Sequence, residues 1–340
     1  MSIFRLQGEI EKARGIYYEV DPADAPIGIG GMGRVYKGIC FNERTRETKP
    51  VAIKFMFEDL PDHAIERARR EASIQLRNDN LVEMLGFIET ESIDENGHPQ
   101  KHYHVVSELL HGVCLTEFLK GSTVDNEGEE IPFASEMQQL YATHKVEFAK
   151  RIAKCVLSGL MALHDAGYIH RDIDPSNIML TSDGHIKLLD FGIACKMGQV
   201  SYDDPSMKEN FVGKPKYAAP ELVSGNLQQQ NETTDIYAVG ILLYQLLCGR
   251  LPFEGSIVDV IQMQKTRKVP VNDIKDYGMR LIVKKATEKQ QSKRYQSASE
   301  FRVALDTPAP KDNSMQLFYA IVACLVILGV VVGVTLAIFL

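Results

Sequence analysis

Residues 28–38 read GIGGMGRVYKG, and the spacing of Gly28, Gly30 and Gly33 as G-x-G-x-x-G leaves few folds open. In dinucleotide-binding folds such a string joins a strand to a helix N-terminus, with an acidic residue about 20 positions on. Here the string runs into RVYKGI and then into VAIKFMF at 51–57, both β-branched and short. That places the glycines in a hairpin between strands. Glycines there let backbone amides close over phosphate groups with no Cβ in the way. The following strand then supplies a cation, Lys54 of VAIK. A lysine on a strand is ordinarily only a solvated charge; its place after this glycine turn gives it phosphates to hold.

Strand signals dominate the first third of the chain. A helical stretch, DHAIERARREASIQL at 62–76, interrupts them, and LVEMLGFIE and KHYHVVSELL resume the sheet. After 111 the pattern turns helical. KVEFAKRIAKCVLSGLMALHDAG (145–167) repeats apolar residues at i, i+3, i+4 and i+7 and closes on Gly167, a helix C-cap. TDIYAVGILLYQLLCG (234–249) is apolar almost throughout, which predicts a helix buried inside the larger lobe. GSTVDNEGEEIPFASEMQQL (121–140) is polar and acidic and reads as a loop inserted between two helices. The fold class is therefore α+β, a β-rich unit followed by a helical one.

Composition bounds the partners. With 45% apolar and 24% charged residues the chain has material for an ordinary core, and a net charge of −7 with no basic stripe argues against nucleic acid as a partner. The six cysteines, at 40, 114, 155, 195, 248 and 324, form no C-x-x-C pair and read as reduced thiols in a cytosolic compartment. The N-terminus lacks the apolar run of a signal peptide. At the other end, residues 317–340 carry no charge in 24 positions. A helix of that length covers about 36 Å, enough to cross a bilayer. A polar, proline-bearing linker, TPAPKDNSMQ (307–316), precedes it, and no loop follows.

The chemistry-bearing motifs come in a fixed order after these. HRDIDPSN (170–177) contains Asp172 and Asn177, LLDFGIA contains Asp190, AAPE (218–221) ends on Glu221, and KQQSKRYQSASEF contains Arg294. Any one acidic residue is by base rate a surface charge; the set in this order is not. Carboxylate and amide oxygens are the hard ligands that suit Mg²⁺.

Together these motifs cover residues of about 20 to 306 and resemble the eukaryotic-like (Hanks-type) Ser/Thr protein kinases, with GIGGMGRVYKG and RYQSASEF most like the bacterial membrane-bound branch. The resemblance implies a bilobal kinase domain over 1–306, with a small lobe at about 15–110 and a large one at about 111–306. It implies Mg²⁺ and ATP as cofactors and Ser or Thr hydroxyls of proteins, this chain included, as acceptors. Asp172 would orient the acceptor hydroxyl, Asn177 and Asp190 would ligate the metal, and Lys54 would hold the α- and β-phosphates. The nucleotide would lie against Gly28, Ile29, Gly30, Gly31, Gly33, Val35, Ala52, Glu108, Leu110 and Met179. A carboxylate on the helix before the second pair of strands would hold Lys54: Glu71, with Glu66 as the runner-up, because LRNDNLV follows Glu71 about two residues too soon. Glu221 would pair with Arg294, and Asp235 would anchor the catalytic loop from the buried helix.

The departures from that family are as informative. Two residues after the catalytic Asp the family usually has Lys and here has Asp174, while the Thr of GTPxYxAPE is replaced by Lys214 in GKPKYAAPE. The expectation is that Lys214 pairs with Asp174 and offers its ammonium to the transferring phosphate. The segment KMGQVSYDDPSMKENFVGKPKYAAPE holds Ser201, Tyr202 and Ser206 but no Thr. Arg171, beside the catalytic Asp, marks a phosphate switch, so autophosphorylation is expected at Ser201 or Ser206, unless Asp203 and Asp204 supply the charge constitutively. The family usually carries an extracellular sensor beyond its span, and this sequence stops at Leu340. The 317–340 run predicts a single-pass membrane protein with a cytoplasmic kinase domain, and Gly329 and Gly333 form a G-x-x-x-G through which two spans would form a homodimer. The substitution at Asp174 and the short spacing after Glu71 keep a second reading open: a membrane-anchored pseudokinase that binds nucleotide as a scaffold.

Overall fold

The computed structural model describes residues 3–93, 97–191, 194–197 and 214–308. The candidate span at 317–340, the Gly329/Gly333 motif, Cys324, and Ser201, Tyr202, Asp203, Asp204 and Ser206 lie outside them. Among the described residues no helix is long and apolar enough to cross a membrane.

The first unit is a seven-stranded antiparallel sheet. It contains β1 (Phe4–Leu6), β2 (Ile16–Val20), β3 (Gly28–Gly30), β4 (Gly33–Asn42), β5 (Thr48–Met56), β6 (Met84–Ile93) and β7 (Pro99–Glu108). The order is β1-β2-β4-β5-β7-β6, with β3 folded back on β4. The glycine string is thus the β3–β4 hairpin, as its neighbours predict. Gly33 cannot be anything larger, since a Cβ there would lie 2.1 Å from the Phe55 carbonyl oxygen. The register puts Val35 opposite Lys54, and Lys54 opposite Val105 on its other side. Strand alternation sends Val51 and Ile53 into a core with Ile88 and Val106, all four fully buried; each such side chain contributes about 1.5–3 kcal/mol. Residues 4–14 join this unit too. Leu6 enters the core, and α1 (Glu9–Arg14) turns back through Gly15, whose φ of 70° suits glycine.

One helix, α2 (Asp62–Ser73), lies against the sheet. It ends two residues after Glu71, the chain then turns at Asn78–Leu81, and Leu81 bridges Leu188 in parallel.

The second unit is helical. It comprises α3 (Leu115–Leu119), α4 (Pro132–Thr143), α5 (Lys145–Asp165), α6 (Pro220–Val223), α7 (Glu232–Cys248), α8 (Ile257–Thr266), α9 (Tyr277–Ala286) and α10 (Ala298–Asp306). As its composition predicts, α7 is buried along most of its length; Asn231 and Thr234 form a capping box at its start and Gly249 turns the chain at its end. Short strands β8 (Gly112–Cys114), β10 (Ile178–Thr181) and β11 (Ile186–Leu188) form a small sheet at the junction of the units. A second short pair joins β9 (Tyr168–Ile169) to β12 (Cys195–Lys196).

The expectation of a loop throughout 121–140 is half corrected. Residues 121–131 are irregular, but Pro132 opens α4 at a position where its missing N–H costs nothing, and Phe133, Ala134 and Met137 bury on α5.

Candidate active site

The catalytic loop is built from the helical unit outward. Asp235, fully buried on α7, accepts the backbone N–H groups of His170 and Arg171, each at 2.8 Å, and a third bond from His164 Nε2 at 2.8 Å. Burial pushes its carboxyl up, but those bonds outweigh it and hold it below the usual aspartate range. In the loop so fixed Arg171 sits at φ 69°, and further along Asp190 sits at φ 56°, a region non-glycine residues seldom occupy. The Arg171 side chain is buried and donates to Gln230 Oε1 at 3.3 Å.

Asp172 and Asn177 meet as the motif implies. Asn177 Nδ2 donates to both the backbone oxygen and Oδ2 of Asp172, each at 2.9 Å. That spends the amide nitrogen and leaves the amide oxygen for a cation. Leu189 N donates to the Asn177 carbonyl at 2.8 Å, which sets Asp190 beside the loop.

Asp174 has two roles in the geometry. Its Oδ1 accepts Ser176 N at 2.7 Å, capping the single turn Pro175–Asn177 that presents Asn177. Its Oδ2 takes Lys214 Nζ, which also donates to Ser176 Oγ and stands 3.9 Å from Asp172 Oδ2. The pair expected from the double departure is therefore formed, and its ammonium lies beside the Asp172 carboxylate. Burial raises the Asp172 carboxyl above its ordinary range, with Lys214 pulling it down and Asp174 pushing it further up.

Between the two units lies a cleft of about 340 Å³. Lys54, Glu71 and Asp190 converge at its inner end, and Gly28, Val35, Ala52, Glu108, Leu110 and Met179 also line it. Glu71 is the carboxylate that faces the cleft; Glu66 points away and pairs with exposed Arg69. Glu71 and Lys54 form no ion pair within 4 Å among the described residues. Burial, then the charge of Asp190, push the Glu71 carboxyl up to about 7, against the pull of Lys54 and a bond from Phe191 N–H. Glu108 is committed elsewhere, its Oε1 taking Lys187 Nζ at 2.6 Å and Glu83 N at 2.8 Å. The Leu110 backbone makes no hydrogen bond among the described residues and is open to a ligand edge.

Ile29, Gly30 and Gly31 form an exposed tip outside the lining, and a Cβ at Gly30 or Gly31 would meet nothing within 4 Å. Packing inside the chain does not call for glycine at either position. The described residues hold no cluster of three or more His, Cys, Asp or Glu fit for a metal. A set of one carboxylate and one amide fits Mg²⁺, which keeps water and phosphate oxygens in its shell.

Two parts of the site were not anticipated from sequence. Asp125, Asn126 and Glu127, in the inserted loop, line the mouth of the cleft. Gln264 on α8 holds the segment after Lys214 through Lys216 O at 2.8 Å and Pro215 O at 3.3 Å. Further out, Glu221 and Arg294, both buried, pair through two bonds of 2.8 and 2.9 Å, as the sequence predicts.

Residues 23–305 match the family described as the protein kinase domain. The chain is similar to the serine/threonine-protein kinase pkn2 of Myxococcus xanthus (31% identity; 82% of this chain, 31% of that protein). It is also similar to the probable serine/threonine-protein kinase PknB of Bifidobacterium longum (30%; 83% and 38%) and the serine/threonine-protein kinase PrkC of Bacillus subtilis (29%; 84% and 40%). It spans less than half the length of each of these relatives. With the protein kinase domain matched over residues 23–305 and with these serine/threonine-protein kinases as relatives, the chain belongs to the protein kinase family, in its Hanks-type serine/threonine branch.

Proposed function

We propose that the chain transfers the γ-phosphate of ATP to Ser and Thr hydroxyls of proteins, its own included. The observation that carries this reading is the contact of Asn177 with Asp172, with Lys214 3.9 Å from the same carboxylate. A scaffold has no need of that arrangement. Mg-ATP, when bound, supplies the phosphoryl group and the cations that neutralise it. The chain's own residues do the positioning. Lys54 steadies the phosphates, the glycine hairpin covers them, and Asp190 and Asn177 offer oxygens to the metal. Asp172 accepts a hydrogen bond from the substrate hydroxyl and aims it in line. Lys214, beside Asp172 and Asp174, would replace the usual loop lysine and offer its charge to the transferring phosphate, where charge develops.

The pseudokinase reading, which rests on Asp174 and on the short spacing after Glu71, is the weaker one: Asp174 pairs with Lys214, and Glu71 lines the cleft despite that spacing. The charge-free run at 317–340 supports anchoring to a membrane, with the kinase on the ATP-bearing side. The Gly329/Gly333 spacing supports pairing of two spans.

The decisive assay incubates the full chain with Mg-ATP and a generic basic protein beside an Asp190→Ala variant. The wild type should label the acceptor on Ser or Thr, and the variant should fall by about a hundredfold or more. Equal labelling by both, or none by the wild type, would sink the proposal.

A further inference from the structure

The inserted residues 122–131 make contacts that the kinase reading leaves unused. They leave the helical unit after α3 and return to it at α4. Their shape is set internally. Val124 and Glu130 form an antiparallel bridge, and Ile131 N donates to Thr123 O at 2.9 Å. The Asp125 carboxylate accepts the N–H groups of Glu127 and Glu129, each at 2.9 Å, and Gly128 turns the tip at φ 83°. Ile131 is buried, which roots the hairpin.

The tip crosses to the other unit. Glu127 pairs with Lys37 on β4, and Asn126 Nδ2 donates to the Ile27 carbonyl at 3.3 Å, one residue before β3. Both contacts fall on the glycine hairpin, and all three tip residues line the cleft mouth. We infer that the 122–131 hairpin is a strap tying the roof of the nucleotide cleft to the helical unit, with Asn126 and Glu127 as positioning residues for the nucleotide. The inference rests on the nucleotide-binding reading of the cleft. Lifting the roof away from the helical unit breaks the ion pair and the hydrogen bond together. An exposed pair of this kind shifts an equilibrium by about twofold to fivefold, and reversing one charge turns attraction into repulsion.

The test measures Mg-ADP affinity by calorimetry and KM and kcat for ATP with the full chain in detergent. Glu127→Lys and Lys37→Glu should each weaken Mg-ADP by about threefold to tenfold and raise KM more than they lower kcat. Combining them should return affinity to within about twofold of wild type. Asn126→Ala, which alters no charge, should weaken Mg-ADP by about twofold. Singles that bind like wild type, or a combined variant no better than the singles, would overturn the strap while leaving nucleotide binding intact. A wild type that binds no Mg-ADP would overturn the nucleotide reading and the strap with it.

Discussion

At the scale of single residues, Asp174 shows how a family lysine can be lost without leaving a hole. A lysine cannot cap the Pro175–Asn177 turn, and an aspartate can, through Ser176 N at 2.7 Å. An aspartate alone would repel a triphosphate beside it, and Lys214 removes that repulsion by taking the other oxygen. Lys214→Thr should therefore lower kcat strongly, by about tenfold to a hundredfold. It should also move the acid limb of the pH–rate profile upward, because Lys214 holds the Asp172 carboxyl down while burial raises it. Adding Asp174→Lys should restore much of the rate but not all, since the cap is lost, at a cost of about 1 kcal/mol. An unchanged kcat and pH profile in Lys214→Thr would leave Lys214 without a catalytic role.

Among elements, α2 carries the clearest conflict between stability and use. Glu71 is buried, with its carboxyl raised to about 7, so the folded chain holds a proton that the unfolded chain releases near 4.5. The folded state thus loses stability as pH rises from about 4.5 to about 7, and above that the whole cost is present. Glu71→Gln should then raise the melting point of the nucleotide-free chain at pH 8 by an amount worth about 3 kcal/mol and leave it nearly unchanged at pH 5, while lowering kinase activity. A variant no more stable at pH 8 would place the ionised carboxylate in a better-solvated setting. The choice of Glu71 over Glu66 was open from spacing alone, yet Ala64, Ala68 and Ala72 form the buried stripe of this helix, and Glu71 lies next to it on the helical wheel. The β3–β4 hairpin, Lys54 on β5 and the buried α7 were legible because each is a local pattern. Helix α4 was hidden by the acidic run before it, and the strap could not be read at all, because its contacts join residues such as Asn126 and Ile27, 99 positions apart.

On the scale of the whole molecule, the kinase body closes on itself before the apolar tail begins. Phe301 and Leu305 of α10 are fully buried, and that helix packs on α5. A chain cut before Thr307 should be recovered in the soluble fraction with its Mg-ADP affinity intact, whereas finding it with the membranes would remove the case for an anchor at 317–340. The placement of Lys214 has a further consequence for control. In the usual arrangement the phosphate's cation belongs to the catalytic loop and is present whatever the neighbouring segment does. Here the ammonium beside that loop comes from Lys214, 40 residues beyond Asp174, on a stretch seated by Gln264 at Lys216 O and by Tyr217 Oη on Gln245 at 2.7 Å. With Lys214 as that cation, unseating the segment removes the charge and bares Asp174 to the triphosphate in one motion. Such an enzyme idles low: a partner that draws the segment away acts as a brake, and one that seats it sets docking and turnover in motion together.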